Sequence, residues 1–230
     1  MASSATNATG DTPAESSQPI RASDVPVKKA PSLCDEHHDM VTIFMKGQKG
    51  KPDRKYIMHK SIACHHSPVL NKAFNGPFVE GQTQTFTIDD FEWPEAFGVI
   101  QSWMYAQKTD GWKEELGESF PTKIGYAWIL ADRMLMPKLQ NAVMILLSSL
   151  EAASTIPHKI AYENTPPGSK LRRFVCDRYA CFSVMEHHKA TWLAYKMPAE
   201  LLLDMLMAKS RPVPPTLLSM KAEDYFVPEA

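Results

Sequence analysis

The alternation of apolar and polar positions starts to carry structure at Asp39. Asp39-Met40-Val41-Thr42-Ile43-Phe44-Met45 is mostly apolar and holds a β-branched trio, which predicts a strand buried on both faces. Gly47 to Asp53 is a turn-rich polar loop, and Lys55-Tyr56-Ile57-Met58 resumes the strand pattern, so the two segments predict an antiparallel hairpin. From His59 to Phe74 the sequence fits a short helix followed by a second one, with Ser67 as N-cap and Pro68 at the first helical position. Leu70, Ala73 and Phe74 form the apolar face of that second helix, and Asn75-Gly76-Pro77 stops it. Thr83 to Ile88 then alternates polar and apolar residues, the pattern of a strand with one buried face, and Asp89-Asp90 ends it. A third strand is therefore expected beyond a helical crossover.

The period next changes to that of amphipathic helices. Trp93, Phe97, Ile100 and Met104 share one face, Ile124, Ala127, Ala131 and Met134 a second, and Leu139, Val143, Leu146 and Leu150 a third. Pro94, Pro121 and Pro137 stand in or just before the first turns of these helices, where the missing N–H of proline costs little. Lys108 to Ser119 reads as a surface loop. After Thr155 the pattern restarts with Ile160-Ala161-Tyr162 and breaks at Thr165-Pro166-Pro167-Gly168. Ser169 then caps a helix with Leu171, Val175, Tyr179 and Phe182 on one side. A last helix over 199–209 carries Leu201, Leu202, Met205 and Leu206 as its stripe, and Arg211-Pro212-Val213-Pro214-Pro215 ends it. No repeat at solenoid spacing is evident.

Composition changes this picture at the ends. Residues 1 to 31 are rich in Ser, Thr, Ala and Pro, and no aromatic residue occurs before Phe44, so this stretch has too little apolar surface to offset its chain entropy. Four parts follow: a disordered leader over 1–35, a main domain over 36–150, a helical extension over 151–210 and a flexible tail over 211–230. The fold class predicted is α+β, mostly helical, with a small three-stranded sheet. Lys28-Lys29 reads either as a fragment of a nuclear-import signal or as part of a solvated tail.

An apolar fraction of 44% with 22% charged residues is that of an ordinary soluble globular chain. Lys and Arg number 25 against 26 Asp and Glu, so there is no positive field for direct nucleic-acid binding. The four scattered cysteines and an opening Met-Ala-Ser-Ser without a signal pattern point to a cytoplasmic or nuclear setting. The richest apolar stretch, Ala142 to Leu150, is far short of the ~20 residues that cross a bilayer, so no membrane association is expected.

Candidate chemistry is sparse. His37-His38, His65-His66 beside Cys64, and His187-His188 after Cys176 and Cys181 invite a metal site. Adjacent residues on a helix point about 100° apart, however, and no Cys-x-x-Cys or His-x-x-x-His unit is present, so no metal is expected. There is no Gly-x-Ser-x-Gly elbow and no glycine-rich phosphate loop, which argues against a serine hydrolase and a nucleotide cofactor. No cofactor is expected, and the chain reads as a binding protein, not an enzyme. Of the thirteen methionines, Met40, Met45, Met134, Met136, Met144 and Met205 lie in predicted core elements as gap fillers, although Met-rich surfaces also suit adaptable binding.

Taken as a set, Asp39 to Ile43, His59-Lys60, Ser67-Pro68-Val69-Leu70, Glu80, Phe97 and Trp103-Met104-Tyr105 resemble the core signature of BTB/POZ domains. Leu130 to Asn141 is similar to the helix pair that completes many of them, and Tyr162 to Arg173 resembles the helical extension of fungal proteins with a single such domain. The resemblance implies a helical cluster capped by a small sheet, used for homodimerisation and for binding cullin-3-type ubiquitin-ligase scaffolds or transcriptional co-regulators. It makes Asp39, His59 and Ser67 structural polar residues that lock strand to helix, with Tyr105 in the same signature. His59 as a catalytic base is the competing reading, and no nucleophile or acidic orienter is identifiable by motif to support it.

In cullin-binding members a hydrophobic residue, any residue and then Glu follow the second crossover helix. Phe78-Val79-Glu80 matches this pattern in the corresponding place. An exposed aromatic there would anchor in a partner's apolar pocket while the carboxylate orients the loop. The alternative is that Phe78 covers the domain's own core and Glu80 caps local backbone. No MATH, kelch or zinc-finger segment is recognisable, so two functions stay open: a ubiquitin-ligase substrate adaptor, and a dimerising scaffold or co-regulator-binding protein without ubiquitin chemistry. The leader shows no convincing extra strand before Asp39 for exchange between protomers, which leaves helix faces for any homodimer.

Overall fold

Val41, Ile43 and Met45 place their side chains on the inner face of β1 (Met40–Met45), while Met40, Thr42 and Phe44 face outward. The structure, a computed structural model, describes residues 1, 31–34, 39–48, 50–150, 157–181, 196–208 and 220–229. The leader over 2–30 with Lys28-Lys29, His37-His38, Phe182, His187-His188 and Arg211 to Pro215 lie outside the described residues. Burial of β1 on both faces does not hold. The outer side is half-buried at most, with Lys55 stretched over the Phe44 ring at 5.7 Å, because no described helix covers it.

β2 (Arg54–His59) pairs antiparallel with β1, Met40 opposite His59 and Met45 opposite Arg54. β3 (Thr85–Ile88) lies on the other side of β1 and runs parallel to it, so the sheet order is β2-β1-β3. A parallel neighbour cannot be reached by a hairpin, and three short helices form the crossover. They are α1 (Lys60–His66), α2 (Pro68–Asn75) and α3 (Val79–Thr83). In this register Ile43 lies beside Phe86 and Met45 beside Ile88, which makes one continuous apolar face.

That face packs on α1, α2 and α4 (Ala96–Ala106), with α6 (Phe120–Arg133) against α4 and α7 (Pro137–Ser148) against α6, and Phe97, Ile100, Ile124, Ala127, Leu130, Leu139 and Val143 have no exposure. Burying side chains of this size stabilises by about 1.5–3 kcal/mol each, the main force holding sheet to helices. Leu147 turns inward where Leu146 was expected, and Leu146 and Leu150 are only partly buried. Trp93 and Pro94 precede α4 instead of starting it, and the Trp93 carbonyl accepts the Ala96 N–H. The expected loop over 108–119 contains α5 (Trp112–Leu116) and a 3-10 turn over Gly117–Ser119. Trp112 is buried, and an indole withdrawn from water is reason enough for this segment to fold against α6.

Beyond α7 the chain adds α8 (His158–Asn164), α9 (Lys170–Cys181) and α10 (Ala199–Ala208). Arg172 fastens these three together. Its guanidinium donates to Glu200 Oε2 and the Tyr162 carbonyl, each at 2.6 Å, and to Thr165 Oγ1 at 3.3 Å. The expected stripe on α10 is narrower than predicted: Leu201, Met205 and Ala208 are buried, whereas Leu202 and Leu206 face outward.

The flexible tail over 211–230 does not hold for its described part. Residues 220–229 pack against α7 and α9 through a 3-10 turn at Ala222–Tyr225, with Met220, Ala222 and Tyr225 buried. The expectation rested on the preceding prolines. Burial of Tyr225 and Val227's hydrogen bonds to Asn141 supply the ordering energy that local pattern does not reveal. The protein is thus α+β and mostly helical, with a small three-stranded mixed sheet. Among the described residues no helix is long and apolar enough to cross a membrane.

Candidate functional site

At the corner between α2 and β3 an apolar surface lies open to solvent, as one also does on the outer sides of the sheet and of α10. Gly76 and Phe78 leave α2 in extended conformation, and Val79 starts α3 with the Phe78 carbonyl accepting from the Gly81 and Gln82 N–H groups. Phe78 is 50% exposed and Val79 63%, although both are apolar. Glu80 stands in the first turn of α3, where a carboxylate is favoured by the local backbone dipoles.

Two glycines fix this corner. A Cβ at Gly81 would collide with the Gly76 carbonyl oxygen, and a Cβ at Gly76 would lie 2.9 Å from the Phe78 ring and 2.5 Å from the Lys72 carbonyl oxygen. Only glycines let α3 fold back this closely on the end of α2. Gln84 completes the turn in a left-handed conformation (φ 52°), and its side-chain amide donates to the carbonyls of Phe74 and Gly81. The corner is therefore built by backbone contacts, and the Phe78 ring rests across Gly76 with its outer half in solvent.

Ser67 is fully buried. Its hydroxyl oxygen accepts the Leu70 N–H at 3.1 Å, capping α2, and donates its own proton to the Met134 carbonyl at 2.8 Å. It thereby ties the start of α2 to the end of α6. His59, at the end of β2, meets Tyr105 of α4: the His59 main-chain N–H donates to the Tyr105 hydroxyl at 3.0 Å, and Nδ1 lies 2.6 Å from the same oxygen. Asp39 is exposed, and its main-chain carbonyl accepts the Lys60 N–H at 2.8 Å. His59, Tyr105, Asp39 and Lys60 thus knit β1, β2, α1 and α4 together at one end of the sheet.

These residues do not form one constellation with Phe78 to Glu80. The signature set clusters at the start of β1 and at the α2–α6 junction, while the exposed tripeptide occupies the α2–β3 corner. His65 and His66 pack edge to face, with His66 also against Trp103. Among the described residues no three His, Cys, Asp or Glu side chains are grouped as metal ligands. A cleft of about 430 Å³ opens between α4, α5 and α6, lined by Trp93, Glu95, Val99, Trp112, Leu116 and Lys123. Of its polar groups, Glu95 Oε1 accepts from Arg54 and Lys123 donates to the Leu116 carbonyl, while Glu95 Oε2 is buried with no hydrogen-bond partner among the described residues.

Sequence reasoning missed the pairing of Gly76 with Gly81, for which the recurrence of glycine on either side of Pro77-Phe78-Val79-Glu80 is the available signal. It also missed Asn141 and Asp177, both buried polar residues that receive residues 220–229. Compared with models of known protein families and with curated proteins, the chain matches none.

Proposed function

We propose that the chain is a protein-interaction module of BTB/POZ type that acts as a substrate adaptor for a cullin-3-type ubiquitin ligase, working by binding and not by catalysis. The observation that carries this reading is the exposed Phe78-Val79 pair at the start of α3, with Glu80 in its first turn, on a corner closed tightly at Gly76 and Gly81. A half-exposed aromatic on a fixed backbone loses little entropy when it enters a partner's pocket, which is how an anchor residue concentrates binding energy. The element order, strand, strand, crossover helices, strand and helices, with β1 central in the sheet, accords with the resemblance in the sequence.

The test is a pull-down of the full chain with purified cullin-3. Binding by the natural sequence, weakened at least tenfold by Phe78→Ala and by Glu80→Ala with unchanged circular dichroism, supports the adaptor. Absence of binding removes it. The second reading, a self-associating scaffold, is favoured by Met40 and Ile57, which stand exposed on the uncovered face of the sheet. Light scattering of the full chain across concentration tests it, and a monomer at all concentrations removes it.

A further inference from the structure

Residues 220–229 sit on the body of the fold as a peptide sits in a receptor. We infer that the groove between α7 and α9 is a binding site for a tyrosine-anchored peptide, occupied in cis by the chain's own residues 220–229. Two kinds of contact make the site. The first reads backbone: the Asn141 side chain donates to the Val227 carbonyl at 3.0 Å and accepts the Val227 N–H at 2.8 Å, as a neighbouring strand would. The same Nδ2 also donates to Glu229 Oε1 at 3.0 Å. The second reads one side chain: Tyr225 is buried, and its hydroxyl donates to Asp177 Oδ2 at 3.0 Å. The ring meets Phe174 edge to face at 5.3 Å, and the Arg173 guanidinium lies 5.7 Å from its centroid on another side.

A main-chain clasp plus one aromatic anchor in a polar-floored pocket is how proteins recognise short linear peptides. Asn141 is a buried polar group whose described side-chain hydrogen bonds all reach into this segment, so it is costly to keep in an empty groove, and Asp177, which Arg173 also approaches at 3.7 Å, adds an acceptor selective for the tyrosine hydroxyl. The segment itself supplies one 3-10 turn and no strand to the sheet. Its energetics are those of docking on a formed surface. The groove discriminates tyrosine from phenylalanine, because the Asp177 carboxylate loses a charge-assisted hydrogen bond when the hydroxyl is removed.

The test uses the full chain with a protease site placed between residues 209 and 219 and cut after folding. The proposal expects the released peptide to dissociate on dilution while the remaining fragment keeps its helical circular dichroism. A labelled peptide of residues 220–229 then rebinds saturably. The Tyr225→Phe peptide binds at least tenfold more weakly, and so does the natural peptide to an Asn141→Ala fragment. Loss of helical signal when the peptide leaves makes the segment part of the core and overturns the proposal. Rebinding insensitive to both changes, or no release at any dilution, overturns it too. A dimer that forms with concentration in the uncut chain and disappears in Tyr225→Phe places the segment in a second copy's groove and overturns the cis assignment.

Discussion

Ser67→Ala deletes one oxygen that holds two structural units together. The residue has no solvent exposure, so water does not take over either bond. Loss of the cap on α2 leaves the Leu70 N–H without its partner, at about 1 kcal/mol. Loss of the bond to Met134 leaves a carbonyl at the end of α6 unsatisfied, at about 1–3 kcal/mol. The sum, about 2–4 kcal/mol, is read by urea denaturation, where a slope of about 2 kcal/mol/M turns it into a midpoint lower by about 1–2 M. Ser67→Gly separates the two contributions. At an isolated N-cap glycine costs only a few tenths of a kcal/mol, whereas here it also forfeits the Met134 bond and loses at least about 1 kcal/mol. A Ser67→Gly protein as stable as the natural one would show that Ser67 serves α2 alone and that its bond to α6 carries no energy.

Three further outcomes are expected. Gly81→Ala forces a Cβ against the Gly76 carbonyl, a backbone atom that cannot rotate away, and lowers stability by about 1–3 kcal/mol in thermal unfolding; an unchanged melting temperature would refute the close approach. Leu135 closes α6 in a left-handed conformation (φ 54°) with its side chain 57% exposed, so Leu135→Gly relieves the strain and stabilises by about 0.5–1 kcal/mol, and destabilisation would contradict it. Tyr126, Tyr162 and Tyr225 are pushed well above the ordinary tyrosine value near 10. Burial is the first cause, followed by the carboxylates of Glu92, Asp204 and Asp177 to which they donate. Above pH 10 the unfolded chain releases these protons while the native state keeps them, so the native state binds more protons and stability falls as pH rises. A denaturation midpoint that holds steady from pH 9 to 11.5, or phenolate absorbance that develops for all tyrosines at pH 10 in the folded protein, would refute this.

The hairpin, the crossover helices, the third strand and the helices on Phe97, Ile124, Leu139, Leu171 and Leu201 were legible in the sequence, because each has a local signature: alternation, 3.6-residue periodicity, a cap or a proline at the first turn. The N-cap role of Ser67 was legible for the same reason. Its bond to Met134 was not, since that contact joins residues far apart in the chain. The prolines around 211–215 mark a break, and the packing of residues 220–229 on α7 and α9 leaves no trace in local composition.

What the sequence determined by itself is therefore the kind of elements, their order and the faces they bury, because period and capping are properties of adjacent residues. Which faces stay uncovered and which polar groups meet is settled only once the whole chain packs. Phe78 is left half in solvent by the fold of α3 onto Gly76, Trp112 is drawn inward from a polar stretch, and Asn141 and Asp177 receive residues 220–229. Exposure depends on what else occupies the neighbouring space, and that is a property of the whole packed chain.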